Sequence, residues 1–185
     1  MNISPASAED LNDIARIHAE GWRAAYGGLV RQEALDAQDQ AQRSRDWKQW
    51  LEGGLVRAAV ARAADGEAAG FVGYGRLRTP PPGSSPIRPL YSGEVYALYI
   101  LPAYWRQGLG RRLMAEAASG LRTMKHKSLC LWVLEGNVRA VAFYKALGGQ
   151  RCGVKTIDIG GTAVRECVFG WRDTAGLVPA VTPEG

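Results

Sequence analysis

Two glycines, Gly108 and Gly110, stand where a β-favouring run meets a helix-periodic one, and that junction restricts the chain to folds in which a strand turns directly into a helix. The incoming run is Glu94-Val95-Tyr96-Ala97-Leu98-Tyr99-Ile100. Beyond the glycines Leu109, Leu113, Met114, Ala117, Ala118 and Leu121 recur at helical spacing. The first-turn N–H groups of a helix have no internal partners, so together with the helix dipole they attract an anion. Glycine at 108 and 110 lets the backbone approach a ligand that a Cβ would hold off. Arg106, Arg111 and Arg112 add positive charge at the same place. The junction is therefore built to hold a phosphate.

The rest of the chain alternates in the same manner. Asn2-Ile3-Ser4-Pro5-Ala6 reads as a first strand and Ser7-Ala8-Glu9-Asp10 as a helix entry with acids in its first turn. Leu11, Ile14, Ala15, Ile17, His18, Trp22 and Tyr26 mark the first helix. A second helical region spans 33–51 and stops at Gly53-Gly54. Residues 56–64 and 69–78 are strand candidates joined by Asp65-Gly66, a hairpin signal. Pro80-Pro81-Pro82-Gly83-Ser84-Ser85-Pro86 cannot donate regular ladder bonds and is a loop, either bordering a site or a plain surface excursion. Ser128-Leu129-Cys130-Leu131-Trp132-Val133-Leu134 is apolar almost throughout, as a strand covered on both faces would be. Asn137 stands as the N-cap of a helix carrying Ala140, Phe143, Tyr144 and Leu147, ended by Gly148-Gly149. Residues 153–159 and 163–171 flank Gly160-Gly161 as a closing hairpin. This order predicts one domain over 1–172 and a loosely ordered tail over 173–185.

Composition narrows the function classes. A chain of 185 residues that is 46% hydrophobic can bury a sizeable core. The net charge of +5 favours an acidic ligand, yet the arginines are spread and form no basic stripe or RNP-like motif, so nucleic acid is not indicated. Cys130, Cys152 and Cys167 lack metal-like or CxxC spacing, which points to no metal and to a reduced, cytoplasmic chain. The N-terminus has no apolar h-region and no apolar run approaches membrane-spanning length, so neither a signal peptide nor a membrane partner is expected. The glycine turn is not a dinucleotide fingerprint, because positions 108–113 read Gly-Leu-Gly-Arg-Arg-Leu, and no GKS or GKT phosphate loop occurs.

Two motifs, Glu94-Val-Tyr-Ala-Leu-Tyr-Ile-Leu-Pro102 running into Trp105-Arg-Gln-Gly108-Leu-Gly110 and Asn137-Val-Arg-Ala140-Val-Ala-Phe143-Tyr144-Lys-Ala-Leu-Gly148, are similar to those of the GNAT superfamily of acyl-CoA-dependent N-acyltransferases. The match runs from Ile3 to about Trp171. The resemblance implies an α/β (α+β) fold: a single mixed, mostly antiparallel twisted sheet of about seven strands, about four helices, and a V-shaped splay between the fourth and fifth strands. It departs at Trp105, where the family usually has Gln or Arg, and at Arg106, where a further glycine is frequent. It further implies that acetyl-CoA lies in the splay, its pantetheine on backbone groups of Leu98, Tyr99 and Ile100. The pyrophosphate would sit on N–H groups of Arg106, Gln107, Gly108, Leu109, Gly110 and Arg111, with Asn137 adding a contact. Arg111, Arg112 or Arg139 could meet the 3′-phosphate by charge. Homodimers are common in such proteins.

Transfer to an amine needs a neutral amine and protonation of the departing thiolate. Tyr144 matches the family's tyrosine near the sulfur, a general acid; from position alone it reads as a packed aromatic with its hydroxyl in water. Glu94 matches a position where some members carry a base acting through water, or is a solvent-exposed carboxylate at a strand start. Tyr96, two residues on, points to the same face. His18, Trp22 and Tyr26 form one stripe at intervals of four, either core or an aromatic wall for a cationic amine acceptor, small molecule or peptide. His18 is alternatively a proton acceptor. Phe71, Val72 and Tyr74 close the pocket or belong to the sheet core. The competing class is a non-catalytic acyl-CoA-binding module on the same fold.

Overall fold

The computed structural model describes residues 1–37, 39–84 and 89–178. Among these residues seven strands, β1 (Asn2–Pro5), β2 (Val56–Arg62), β3 (Ala68–Arg76), β4 (Gly93–Ile100), β5 (Leu129–Leu134), β6 (Gln150–Ile159) and β7 (Thr162–Trp171), form one sheet in the order β1-β2-β3-β4-β5-β7-β6. All neighbours are antiparallel except β4 and β5. Among the described residues five α-helices cover it: α1 (Leu11–Tyr26), α2 (Gln32–Asp36), α3 (Gln40–Glu52), α4 (Leu109–Thr123) and α5 (Val138–Ala146).

Local chemistry accounts for the boundaries. Ser7 and Asp10 form a capping box: Ser7 N–H donates to Asp10 Oδ2 at 2.8 Å and Glu9 N–H donates to Ser7 Oγ at 3.2 Å, which launches the 3-10 turn Ala8–Asp10 and then α1. The helical region expected over 33–51 divides into α2 and α3. Asp39 begins a second helix by accepting Ala41 N–H at 2.9 Å. Gly160 and Gly161 both have positive φ, 57° and 77°, the geometry of the two-residue turn that matches strand twist. That turn sets the β6–β7 register, with Lys155 opposite Glu166.

One face of the sheet packs on α4 and α5 through Leu113, Met114, Leu121, Val72, Leu131 and Phe169. The other packs on α1 and α3 through Ile14, Ile17, Trp47, Val60 and Phe71. Phe71, Val72 and Tyr74 are buried sheet core. Beside them, α2 and the end of α1 sit on the β6–β7 hairpin, where Val30, Leu35 and Leu134 gather with Trp22 and Tyr26.

The splay has a definite origin. β4 pairs with β5 only at Gly93↔Leu129, Glu94↔Cys130 and Val95↔Leu131. On its other side the register jumps from Tyr74↔Val95 to Gly73↔Ala97, leaving Tyr96 as the extra residue of a bulge. Before the bulge Val95 faces α4; after it Leu98 and Ile100 do, while Tyr96, Ala97 and Tyr99 face α1 and α3. The bulge bends β4 away from β5 and opens a cleft between them.

Asp173 caps a 3-10 turn, Thr174–Leu177, by accepting Ala175 N–H at 2.9 Å, and Leu177 joins the α4 core. Where a loose tail was expected from residue 173, the stretch to 178 is thus held by packing, and 179–185 lie outside the described residues. Part of the proline loop, 85–88, also lies outside them. Among the described residues, no helix is long and apolar enough to cross a membrane.

Candidate active site

The cleft between the diverging strands has a volume of about 800 Å³, and α5 and the start of α4 close one end of it. At that end Gly108 is the N-cap of α4, with φ +78° and no side-chain cap. An added Cβ at 108 would meet nothing within 4 Å, so conformation is what demands glycine, and the open space lies where a ligand would rest. Gly110 has a different reason: its Cβ would come within 3.0 Å of Phe143 Cζ, so the glycine lets α4 pack against α5. Arg106 also has positive φ, 63°, and takes up the backbone shape that glycine adopts freely.

The neighbouring side chains sort themselves by direction. Arg106, Leu109 and Arg111 line the cleft with the two glycines. The Gln107 amide donates to Ala103 C=O at 3.0 Å and stands off the lining, which leaves its backbone N–H as the group it can contribute. Arg112 donates to Met1 C=O at 2.9 Å and turns away, whereas Arg139 lines the cleft with its guanidinium 3.3 Å from the centre of the Trp105 ring. Burial lowers the pKa of Arg139. Trp105 in turn donates its indole N–H to Ile100 C=O at 2.7 Å, tying the end of β4 to α5 through Arg139.

Backbone alternation decides which β4 groups are free. Leu101 N–H donates to Ala69 C=O at 2.9 Å, so odd-numbered residues after the bulge bond toward β3 and even-numbered ones face the splay. Leu98 N–H and C=O and Ile100 N–H are thus turned to the cleft, with Ile100 C=O taken by Trp105. Tyr99, expected to offer backbone groups, pairs with Phe71 instead and contributes its side chain to the lining.

Tyr144 is buried, packs on Phe143 at 5.2 Å and Phe169 at 6.1 Å between ring centres, and lines the cleft. Burial, then the nearby Tyr26 phenol, push its pKa well above the ordinary tyrosine value. Tyr99 is raised too, by burial first and by Tyr26 second. Burial raises Tyr26, its hydrogen bond with Tyr99 opposes the rise, and Glu166 adds to it. All three tyrosines line the cleft. Asn137 caps α5 by accepting Ala140 N–H at 3.2 Å and reaches the lining as well.

At the far end Glu94 is buried, not an exposed strand-start carboxylate, and its Oε2 accepts Arg78 N–H and Thr79 N–H at 2.7 Å each. It lines the cleft and holds the chain after β3 against the sheet. Tyr96 donates to Arg76 C=O at 2.5 Å, lies 3.4 Å beneath the Arg78 guanidinium, and has its pKa pushed up to about 12, chiefly by burial. Trp22 and Tyr26 line the cleft edge to face at 4.5 Å between ring centres. His18 does not share their position. It is buried beneath the sheet, accepts the Trp47 indole N–H at Nδ1 at 3.1 Å, and stacks on Tyr99 at 4.8 Å. Burial, with Arg43 second, lowers its pKa to about 3. His18 is therefore a neutral core residue and neither a wall of the pocket nor a proton acceptor.

Among the lining residues missed from the sequence are Trp132 on β5 and Glu166 on β7. Glu166 lies five residues after the Gly160-Gly161 turn and Lys155 five before it, so hairpin register alone pairs them. Trp132 gave no signal within its apolar run. Among the described residues no group of His, Cys, Asp and Glu side chains could hold a metal ion.

The chain matches the acetyltransferase (GNAT) family over residues 13–148. It is 30% identical over 177 residues to YuaI of Bacillus subtilis, an uncharacterized N-acetyltransferase, covering 96% of each chain. Its fold is similar to that of the PaiA N-acetyltransferase of Thermoplasma acidophilum, solved in complex with coenzyme A, with a TM-score of 0.64, 20% identity, and 90% of this chain and 98% of that one covered. The YncA structure from Salmonella typhimurium, solved with acetyl-CoA, aligns with a TM-score of 0.68 at 18% identity over 100% of this chain and 98% of that one.

Proposed function

The chain belongs to the GNAT acetyltransferase family, and from that membership we propose that it transfers an acetyl group from acetyl-CoA to a primary amine by direct attack in a ternary complex. The observation that carries this reading is the meeting in one cleft of a helix start opened by Gly108, a β4 edge without a β5 partner, and the buried Tyr144 phenol. The residues fit the cosubstrate: the open space at Gly108 is a cradle that a side chain would fill. Backbone N–H groups of 106–111 would hold the pyrophosphate, Leu98 and Ile100 the pantetheine amides, and Arg111 and Arg139 the 3′-phosphate. Acetyl-CoA, when bound, supplies the acetyl group as a thioester.

The Tyr144 hydroxyl carries its proton at neutral pH, as any phenol does, and its place in the cleft is what lets it protonate the departing thiolate; burial, which raises its pKa, keeps it protonated but makes it the weaker acid. Glu94 lies inside the same cleft and takes the amine proton through water. The Tyr96 side chain, placed by the bulge, flanks it. Trp22 and Tyr26 wall the acceptor end. A relay through cysteine has no support, since none of Cys130, Cys152 and Cys167 lines the cleft, and burial pushes the Cys130 thiol up to about 12. A cytosolic setting, consistent with three free cysteines, and a homodimer belong to the same reading.

The test is release of CoA thiol from acetyl-CoA across a library of primary amines. Tyr144→Phe is expected to lower kcat by on the order of 10² while leaving CoA affinity within about twofold. An unaltered rate would remove Tyr144 from the chemistry. CoA binding without thiol release on any amine would instead favour a binding module.

A further inference from the structure

Charge around the cleft comes from different elements: Arg106, Arg111 and Arg139 line it from α5 and the start of α4, Glu94 from the paired start of β4, and Glu166 from β7 opposite Leu134 at the end of β5. The two carboxylates differ in what they hold. Glu94 is engaged by the N–H groups of Arg78 and Thr79. Glu166 meets an ammonium: Lys155 Nζ lies 3.3 Å from its Oε2 across the β6–β7 ladder and 3.9 Å from the centre of the Trp132 ring. The Glu166 side chain is 19% exposed, so it is accessible from the cleft without being fully solvated.

Its position relative to the reacting end follows from strand register. Tyr144 packs on Phe169, which faces α4 and α5, whereas Glu166 lies three residues back along β7 on the opposite face of the sheet, so it stands apart from the proposed acid. That is too remote for the nitrogen under attack and suited to another group on the same acceptor. Register places Glu166 opposite Leu134, and Leu134 packs with Trp22 and Tyr26, so the carboxylate and the aromatic pair share one face. A half-desolvated carboxylate beside aromatic rings favours an ammonium by charge and by the ring quadrupole, as Lys155 demonstrates in place. An ion pair serving only to brace the hairpin would contribute little and need not border the cleft.

We infer, resting on the acetyl-transfer reading, that Glu166 determines acceptor specificity by binding a second positive charge, so that the acceptor class is an amine with a distal cationic group. The reacting nitrogen lies beside Tyr144 and the distal cation at Glu166, against Trp22 and Tyr26. Lys155 competes for the same carboxylate.

The experiment compares 1,4-diaminobutane with n-butylamine as acceptors, measuring kcat and KM by CoA-thiol release with product mass. Calorimetry with CoA serves as the check on fold and cofactor site. The wild type is expected to favour the diamine by about tenfold or more in kcat/KM. Glu166→Gln should remove about tenfold of the diamine value, mainly through KM, and leave n-butylamine within about twofold. Lys155→Met should lower KM for the diamine several-fold, an opposite change that a purely structural pair would not produce. Equal use of the two amines by the wild type, an equal loss on both in Glu166→Gln, or turnover of neither by enzyme that binds CoA would overturn the inference. Failure to bind CoA would bring down the acetyl-transfer reading itself, and the inference with it.

Discussion

The His18 imidazole is held neutral by its surroundings, with the Trp47 N–H on Nδ1 and a pKa lowered from 6.5 to about 3. The sign of the consequence is fixed. Between these values the unfolded chain binds a proton that the folded chain does not, so this contribution to stability is complete above about pH 6.5 and falls as the pH drops toward about 3. From about pH 7 to about pH 5 the loss is about 2 kcal/mol. Denaturant unfolding of the wild type and His18→Asn, whose amide oxygen can still accept from Trp47, measures it as a difference. Parallel pH dependences would contradict a buried neutral imidazole. The stripe His18, Trp22, Tyr26 was legible in the sequence, but its division was not. Four residues advance slightly more than one helical turn, and only the register of α1 on the sheet decides that position 18 lies beneath Tyr99 while 22 and 26 reach the cleft.

The start of α4 and the bulge of β4 together make the cleft, and they were unequally visible. Strand, glycine turn and helix were legible because Gly108 and Gly110 interrupt two clear periodicities; the separate reasons for the two glycines needed the contact with Phe143. The bulge left no mark, since Val95-Tyr96-Ala97-Leu98 reads as an ordinary strand whether or not one residue is extra. Tyr99, which the resemblance implied as a backbone partner for the pantetheine together with Leu98 and Ile100, turns its backbone groups to Phe71 instead. Likewise Glu94 read as either a base or an exposed carboxylate, because the N–H groups of Arg78 and Thr79 come from a chain segment whose path the sequence does not specify. Gly108→Val places a β-branched residue at φ +78° and a side chain in the open space above α4. CoA affinity measured by calorimetry is expected to fall about tenfold or more, as it should when N–H groups lose access to a phosphate. Unchanged affinity would remove the pyrophosphate from this turn.

The architecture as a unit was legible because its two motifs are separated by a buried strand and followed by a hairpin, an order few folds share. Two cores on opposite faces of one sheet then flank the cleft, which is lined by arginines from α5 and the start of α4 and by carboxylates from β4 and β7. Long-range partners were beyond reach of the sequence: Trp105 with Arg139 across the cleft mouth, Trp132 with Thr79, and Leu177 on α4. Each joins segments far apart in the chain without a periodic signature. The most direct measurement is a crystal structure of the CoA complex. Its expected features are pyrophosphate oxygens on the N–H groups at the start of α4, pantetheine amides on Leu98 and Ile100 in the place of a β5 partner, and the thiol beside the Tyr144 hydroxyl. CoA bound outside the splay, or within it with the thiol remote from Tyr144, would contradict the acetyl-transfer site.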